Sequence, residues 1–192
     1  MHVQPMYIIP SLLLFTLASC HLLFANNTQA TSTESFKTQE ELLKQPGACH
    51  FDVPKGWEMV DPKVLLPEVK VMVKGKALKA NHLPPSINLA LEETSLSLEE
   101  YLDAIKVMNT PDRNRKWSRM GSIHTKAGDM ALTQLDLTSK WGDVRMIQAL
   151  MIKNCVAYVI TATSQLSEFS QFSKEFFSAI RSFGINPTKQ LE

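Results

Sequence analysis

The N-terminal part of this chain lacks charge: no Lys, Arg, Asp or Glu precedes Glu34. Within that uncharged stretch, residues 6–25 are almost entirely apolar. Burying a charge in a bilayer is costly, so a segment that enters a membrane must lack charged side chains. A helix packed on a soluble core would instead keep one polar face toward water. The absence of charge therefore favours an export signal or an anchor over a core helix.

Motifs for catalysis and cofactor binding are also scarce. The three cysteines form no C-x-x-C pair, and His50, His82 and His124 do not stand at the spacing of metal-binding pairs. The chain has only seven glycines, with no G-x-S-x-G motif and no Gly-rich phosphate loop. We therefore predict no catalytic, cofactor or metal site and no enzymatic activity. A Cys155–histidine pair is the remaining nucleophile candidate, and an inert buried thiol is the favoured interpretation of Cys155.

The N-terminal segment does contain Leu17-Ala18-Ser19-Cys20, which resembles the lipobox of bacterial lipoproteins. This pattern predicts a signal peptide over residues 1–19 and lipidation with palmitate at Cys20. It places the protein in the bacterial cell envelope, membrane-anchored and facing the periplasm or the exterior. Two alternatives stay open. Cleavage after Ala30 would release a soluble exported protein, and an uncleaved 6–25 segment is long enough to serve as an anchor.

Residues 20–47 are predicted to form a flexible tether, because 26–39 are rich in Asn, Thr, Ser and Gln and poor in apolar side chains. A folded domain is expected over 48–186 and a short tail over 187–192. With Cys20 lipidated, Cys49 and Cys155 are left as candidates for a disulfide in an oxidising compartment. Two separate buried thiols are the alternative.

Hydrophobic periodicity predicts strands, two helices and a sheet covered on both faces. Phe51, Val53 and Trp57 mark a first strand with a turn at Pro54-Lys55-Gly56. A period of two marks strands at 69–74 and 87–91, and four hairpin-connected strands at 120–125, 130–138, 144–152 and 155–163. A period of three to four marks helices near 98–108, begun by a Ser97–Glu100 capping box, and near 168–183, stopped by Gly184. The last two strands are apolar on both faces. We predict an α+β fold, an α/β/α sandwich around a mainly antiparallel sheet of about six to seven strands.

Two segments carry a resemblance to a known family. Phe51-Asp52-Val53-Pro54-Lys55-Gly56-Trp57 resembles the opening of PsbP-like domains, and Phe176-Phe177-Ser178-Ala179-Ile180-Arg181-Ser182-Phe183 resembles their closing helix. The order of the intervening elements is similar, so the resemblance covers about 48–186. The family includes a photosystem extrinsic subunit, a Ran-binding import factor and exported bacterial proteins of unclear role. The resemblance implies partner binding and supplies no catalytic residues.

A basic segment follows the first predicted helix. Arg113, Arg115, Lys116 and Arg119 surround Trp117 in what we interpret as a loop. Such a loop is a candidate for contact with anionic lipid or an acidic partner, and a solvated loop anchored by Trp117 is the alternative.

These features together predict a non-enzymatic envelope lipoprotein that acts as an adaptor, with the membrane and an unidentified protein as partners. The formal net charge is only +1, which gives no global attraction to nucleic acid, and we predict no such partner. Two other functions are alternatives: an envelope protein that binds a small ligand or lipid, and a cytosolic secretion chaperone with an intact N-terminus.

Overall fold

The computed structural model describes residues 49–186. The predicted signal peptide, Cys20, the tether and the tail therefore lie outside the described residues. The strands are β1 (Cys49–His50), β2 (Glu58–Met59), β3 (Val69–Lys74), β4 (Ser86–Glu93), β5 (Arg115–Thr125), β6 (Gly128–Ser139), β7 (Gly142–Lys153), β8 (Val156–Gln165) and β9 (Gly184–Ile185). The α-helices are α1 (Leu98–Asn109) and α2 (Phe169–Arg181), and short 3₁₀ turns lie at Pro62–Val64 and Leu166–Glu168.

Seven strands form one antiparallel sheet in the order β2-β3-β4-β8-β7-β6-β5, and β1 pairs separately with β9. Tight turns join β5 to β6, β6 to β7 and β7 to β8, so these neighbours are antiparallel hairpins. Helix α2 packs on one face of the sheet and α1 on the other. The α+β sandwich predicted from the sequence is confirmed.

Helix α1 begins where its capping box predicts. Glu100 donates its backbone N–H to Ser97 Oγ (3.4 Å), and Ser97 donates its own N–H to Glu100 Oε2 (2.8 Å). The bond from the Ser97 backbone N–H lowers the pKa of the Glu100 carboxyl. Tyr101, Leu102 and Ile105 then bury one stripe of the helix against the sheet. The tyrosine hydroxyl donates a hydrogen bond back to the sheet at Glu92 Oε2 (2.8 Å).

Helix α2 packs through the aromatic stripe that the sequence predicts. Phe176 is fully buried, and its ring lies 5.6 to 6.2 Å from the rings of Phe169, Phe172 and Trp57. The helix ends at Arg181, two residues before the predicted end near Phe183, and Ser182 rather than Gly184 is its C-terminal cap. Gly184 instead belongs to β9, where a Cβ atom would lie 3.0 Å from the His50 ring.

The first strand predicted from Phe51, Val53 and Trp57 is wrong, whereas the turn predicted at Pro54-Lys55-Gly56 is present. Pro54 has no N–H to donate to a sheet, and its carbonyl accepts the Trp57 N–H in a turn that contains Gly56 at φ +80°. Phe51 and Trp57 are nevertheless apolar for the expected reason, since both pack into the core under α2. The segment crosses the face of the sheet as irregular chain between β1 and β2.

The sheet has two ends that differ in what they present. One end carries Cys49, the first described residue, together with the β5–β6 and β7–β8 turns, and we call it the attachment end because the predicted tether would join the domain there. Cys49 pairs with Ile185, and Ala127 in the β5–β6 turn donates its N–H to the Phe183 carbonyl nearby. The far end carries the start of β5 and the β6–β7 turn. Strand β5 alone separates the two ends by about 33 Å, at about 3.3 Å per residue.

Candidate functional site

The basic segment singled out by the sequence is the start of an edge strand, which we call the basic edge (residues 113–119). Strand β5 begins at Arg115, so the prediction that it begins at Met120 is wrong. Arg113 does lie in a turn, whereas Arg115, Lys116 and Arg119 belong to the strand and not to the predicted loop. Residues 118–122 are exposed on both faces of the sheet, so they show no apolar alternation for sequence periodicity to detect. Only register with β6 reveals the strand, as in the pairing of Arg115 with Leu137.

Two of the four cations in the basic edge are already engaged. The Arg119 guanidinium donates two hydrogen bonds to Glu99 on α1 (2.6 and 2.8 Å), and this contact lowers the pKa of the Glu99 carboxyl. Arg115 lies 3.1 Å from Asp112 and donates to the Asn109 side chain at 3.2 Å. The Arg119–Glu99 pair and the Arg115–Asn109 hydrogen bond tie the start of β5 to α1.

The other two cations have no carboxylate partner among residues 49–186. Arg113 and Lys116 are exposed and form no ion pair there. Lys116 lies opposite Asp136 on β6, but that carboxylate is held by Arg145 through two bonds of 2.7 Å. The basic edge therefore keeps two uncompensated positive charges at the surface.

Trp117 is half-buried within the basic edge and contacts two apolar clusters, one under α1 and one around Leu83. This placement supports the anchoring role that the sequence suggests for its ring. Its indole Nε1 is buried without a hydrogen-bond partner. Contact of the basic edge with anionic lipid stays a prediction. The structure places this edge at the far end of the sheet, away from Cys49, the first described residue.

The two described cysteines carry free thiols and lie in different environments. Cys49 is half-buried in β1, where burial raises its pKa. Cys155 is exposed in the β7–β8 turn, so the interpretation of this residue as a buried thiol is wrong. It occupies the second left-handed position of the turn (φ +58°), after Asn154 at φ +52°. The disulfide stays a prediction.

Cys155 also lines an open cleft of about 500 Å³ at the attachment end. The described side chains around this cleft include no histidine, and its lining residues are Glu93, Thr94, Ser95, Asn154, Cys155 and Val156. His124 lies elsewhere and contacts Asp129 at 2.7 Å, on the exposed surface of the β5–β6 hairpin.

A row of buried polar side chains crosses four strands on the α1 face, which sequence reasoning missed. The members pair across β4, β8, β7 and β6 and are Asn88, Thr161, Gln148 and Thr133. Gln148 Nε2 donates to Thr161 Oγ1 at 3.4 Å, while Gln148 Oε1 and Thr133 Oγ1 are buried without partners. The sequence does contain a sign of this row, because Gln148 is the one polar residue in the otherwise apolar run of residues 146–152. The row lies between the apolar cluster under α1 and the cluster around Leu83.

Replacing Thr133 with valine should raise the free energy of unfolding by about 1 kcal/mol, because Thr133 is fully buried and its hydroxyl is unpartnered. Thr161→Val is the matched control in the same row. It removes the acceptor of the Gln148 bond and should lower stability by about 1 kcal/mol. Urea denaturation of both variants measures the difference. A destabilised Thr133→Val protein would show that this hydroxyl has a bound partner in solution.

A hydrogen-bonded contact between two side chains far apart in the chain was likewise invisible in the sequence. Glu168 is buried just before α2, and its Oε1 lies 2.6 Å from Nδ1 of His82 in the β3–β4 loop. The two residues are 86 positions apart, so no local spacing could indicate the contact. It fixes the long loop against the start of the helix.

Among residues 49–186, no three His, Cys, Asp or Glu side chains come together in an arrangement that could hold a metal ion. In the same part of the chain, no helix combines the length and the hydropathy of a bilayer-spanning segment.

Comparison with solved structures shows which proteins share this fold. LpqN, a protein involved in cell envelope biogenesis of Mycobacterium tuberculosis, matches with a TM-score of 0.55 and 12% identity, over 75% of this chain and 87% of LpqN. PA94 of Pseudomonas aeruginosa, a protein of unknown function described as a putative regulator, matches with a TM-score of 0.51 and 11% identity, over 69% of this chain and 99% of PA94. The PsbP protein of Synechocystis sp. PCC 6803 matches with a TM-score of 0.46 and 11% identity, over 84% of this chain and 96% of PsbP.

The PsbP-like fold predicted from the sequence is confirmed. At these identities the likeness is one of fold alone. No family model and no curated protein matches the chain.

Proposed function

We propose that this protein is a non-enzymatic adaptor of the bacterial cell envelope, lipidated at Cys20 and tethered to a membrane by residues 20–47. The observation that carries the proposal is that the first described residue and the basic edge lie at opposite ends of the domain. The first described residue, Cys49, lies in β1 at one end of the domain, where the proposed tether would join, while the uncompensated cations Arg113 and Lys116 lie at the far end. A tethered domain built in this way holds its charged edge away from the anchor, where a protein partner can reach it.

Two sequence and fold features support the envelope location. The uncharged 6–25 segment with its Cys20 motif predicts export and lipidation. The fold is shared with LpqN, which is involved in cell envelope biogenesis in its own organism. A flexible tether of 28 residues has a root-mean-square reach of about 30 Å. That reach is comparable to the length of the domain and lets the far end approach a partner embedded in or beside the membrane.

Site-specific crosslinking in intact cells tests the adaptor function. A photoreactive amino acid at Ser118 places the probe at the basic edge, and the same probe at Asn154 places it at the attachment end. We expect the Ser118 probe to capture an envelope protein and the Asn154 probe to capture little. Capture by neither probe, nor by a general amine-reactive crosslinker, would contradict an adaptor function. Capture at Asn154 alone would keep the adaptor and overturn its orientation.

A further inference from the structure

We propose that the basic edge binds an extended acidic segment of another protein, which adds to the sheet as an eighth strand beside β5. This inference rests on the proposed adaptor function and specifies how its partner is held. Strand addition supplies affinity through main-chain hydrogen bonds and specificity through alternate side chains. Both kinds of contact are available along residues 115–119.

The main-chain groups are available because β5 has one neighbour in the described part of the chain. It is the last strand of the sheet and pairs only with β6. Apart from that ladder, the only hydrogen bond between its backbone and another described backbone group is donated by Arg115 to Asp112. An edge strand of eleven residues leaves a row of N–H and C=O groups facing outward. The opposite edge differs, because β2 covers part of β3 there and is itself two residues long.

The length of the added strand is limited by a β-bulge. Arg119 pairs with Thr133 and Gly121 with Leu132, so Met120 is the extra residue and Gly121 takes φ +106°. A bulge twists the edge and interrupts regular pairing. The stretch open to strand addition is therefore residues 115–119, and the exposed Met120 of the bulge follows it directly.

Charge identifies the occupant as acidic. Residues 113–119 contain no carboxylate, and two of their four cations, Arg113 and Lys116, have no carboxylate partner among the described residues. Alternation along the strand puts Arg115, Trp117 and Arg119 on the α1 face, while Lys116 and Ser118 point to the other. Lys116 has no carboxylate partner because Asp136 is bonded to Arg145. A carboxylate of the added strand beside Lys116 would therefore compensate its charge. An apolar side chain beside Trp117 would cover its half-exposed ring.

The same pattern disfavours a second copy of this chain as the occupant. Antiparallel pairing of two 115–119 segments centred on Trp117 would set Arg115 of each copy opposite Arg119 of the other. Like charges directly opposite one another destabilise a sheet. An acidic strand avoids this contact between arginines and supplies a carboxylate for the unpaired Lys116.

Peptide binding to the full-length protein tests the inference. The probe is a fluorescein-labelled nine-residue peptide with Glu alternating with Val and Thr, and binding is measured by fluorescence anisotropy. We expect Arg113→Glu/Lys116→Glu to weaken binding about tenfold or more. The matched control, Lys126→Glu/Lys153→Glu, makes the same charge change at the attachment end and should leave binding unchanged. Equal loss in both double variants would overturn the site.

A second probe separates strand addition from simple charge attraction. The same peptide with alternate amides N-methylated keeps every carboxylate but loses the N–H donors along one side. Strand addition requires those donors, so binding should fall about tenfold, and slower hydrogen exchange at the β5 amides should accompany binding of the unmethylated peptide only. Equal binding of both peptides would overturn the proposal.

Other occupants of the β5 edge predict different outcomes of these experiments. A dimer that dissociates in Arg113→Glu/Lys116→Glu would assign the edge to a second copy. Peptide binding that appears only after deletion of residues 34–47 would assign it to the chain's own tether. If crosslinking captures a partner whose yield is unchanged by Arg113→Glu/Lys116→Glu, the adaptor function stands and this mode of binding falls.

Discussion

Truncating Phe176 to alanine should lower the free energy of unfolding by about 3–5 kcal/mol. The ring is fully buried at the centre of the α2 face, where it meets the rings of Trp57, Phe169 and Phe172. Removing it takes away the burial of the ring and leaves a cavity that three other aromatic side chains cannot easily fill. Chemical denaturation followed by tryptophan fluorescence measures the change, since Trp57 lies against the cavity.

Phe177 gives the matched control for that experiment. It is the next residue on the same helix, is half-buried, and carries the Arg181 guanidinium 5.8 Å from its ring centre. Phe177→Ala should therefore cost about 1 kcal/mol, well below the effect at Phe176. Equal losses for the two variants would mean that the helix responds to any truncation, and the assignment of Phe176 as the centre of the core would be wrong.

Replacing Cys20 with alanine should abolish metabolic labelling with palmitate and release the protein from the membrane fraction. The thiol is the acceptor of the lipid in the predicted motif, and acyl chains contribute about 0.8 kcal/mol per buried CH₂ to membrane binding. Labelling, fractionation and mass spectrometry of the mature N-terminus follow the change. Cys155→Ala is the control, because it removes an exposed thiol from the folded domain and should leave label and location unchanged.

The alternatives for the N-terminus predict different results in the same experiment. Cleavage after Ala30 gives an unlabelled wild-type protein that begins at Thr31. An uncleaved anchor gives a protein that stays in the membrane fraction with or without Cys20. An unlabelled, intact protein recovered from the cytosol would contradict both the envelope location and the adaptor function, and would favour the secretion chaperone.

The central sheet and both helices could be predicted from the sequence because their apolar patterns are local. The Ser97–Glu100 box marks the start of α1, and the phenylalanines of α2 recur at helical spacing. The turns of the hairpins also lie where the predictions place them, although Cys155 belongs to the turn and not to β8. Each of these signals is complete within about fifteen residues of chain.

The features that escaped prediction depend on contacts between distant segments. The first part of β5 has exposed side chains on both faces, so only its pairing with β6 defines it as a strand. The contact of His82 with Glu168 and the row that joins Asn88 to Thr133 arise only after the sheet assembles. The candidate partner surface is built from this non-local information. Its residues could be named from the sequence, but their arrangement as a strand edge could not.

The pairing of β1 with β9 brings the two ends of the described chain side by side, with Cys49 opposite Ile185. A circular permutant could therefore join these ends with a short linker and reopen the polypeptide at the turn between Ser139 and Gly142. Such a rearranged protein would keep every strand pairing of the described domain while moving its chain ends to the opposite end of the sheet. The natural order of the elements thus decides at which end of the sheet the chain enters and leaves the domain.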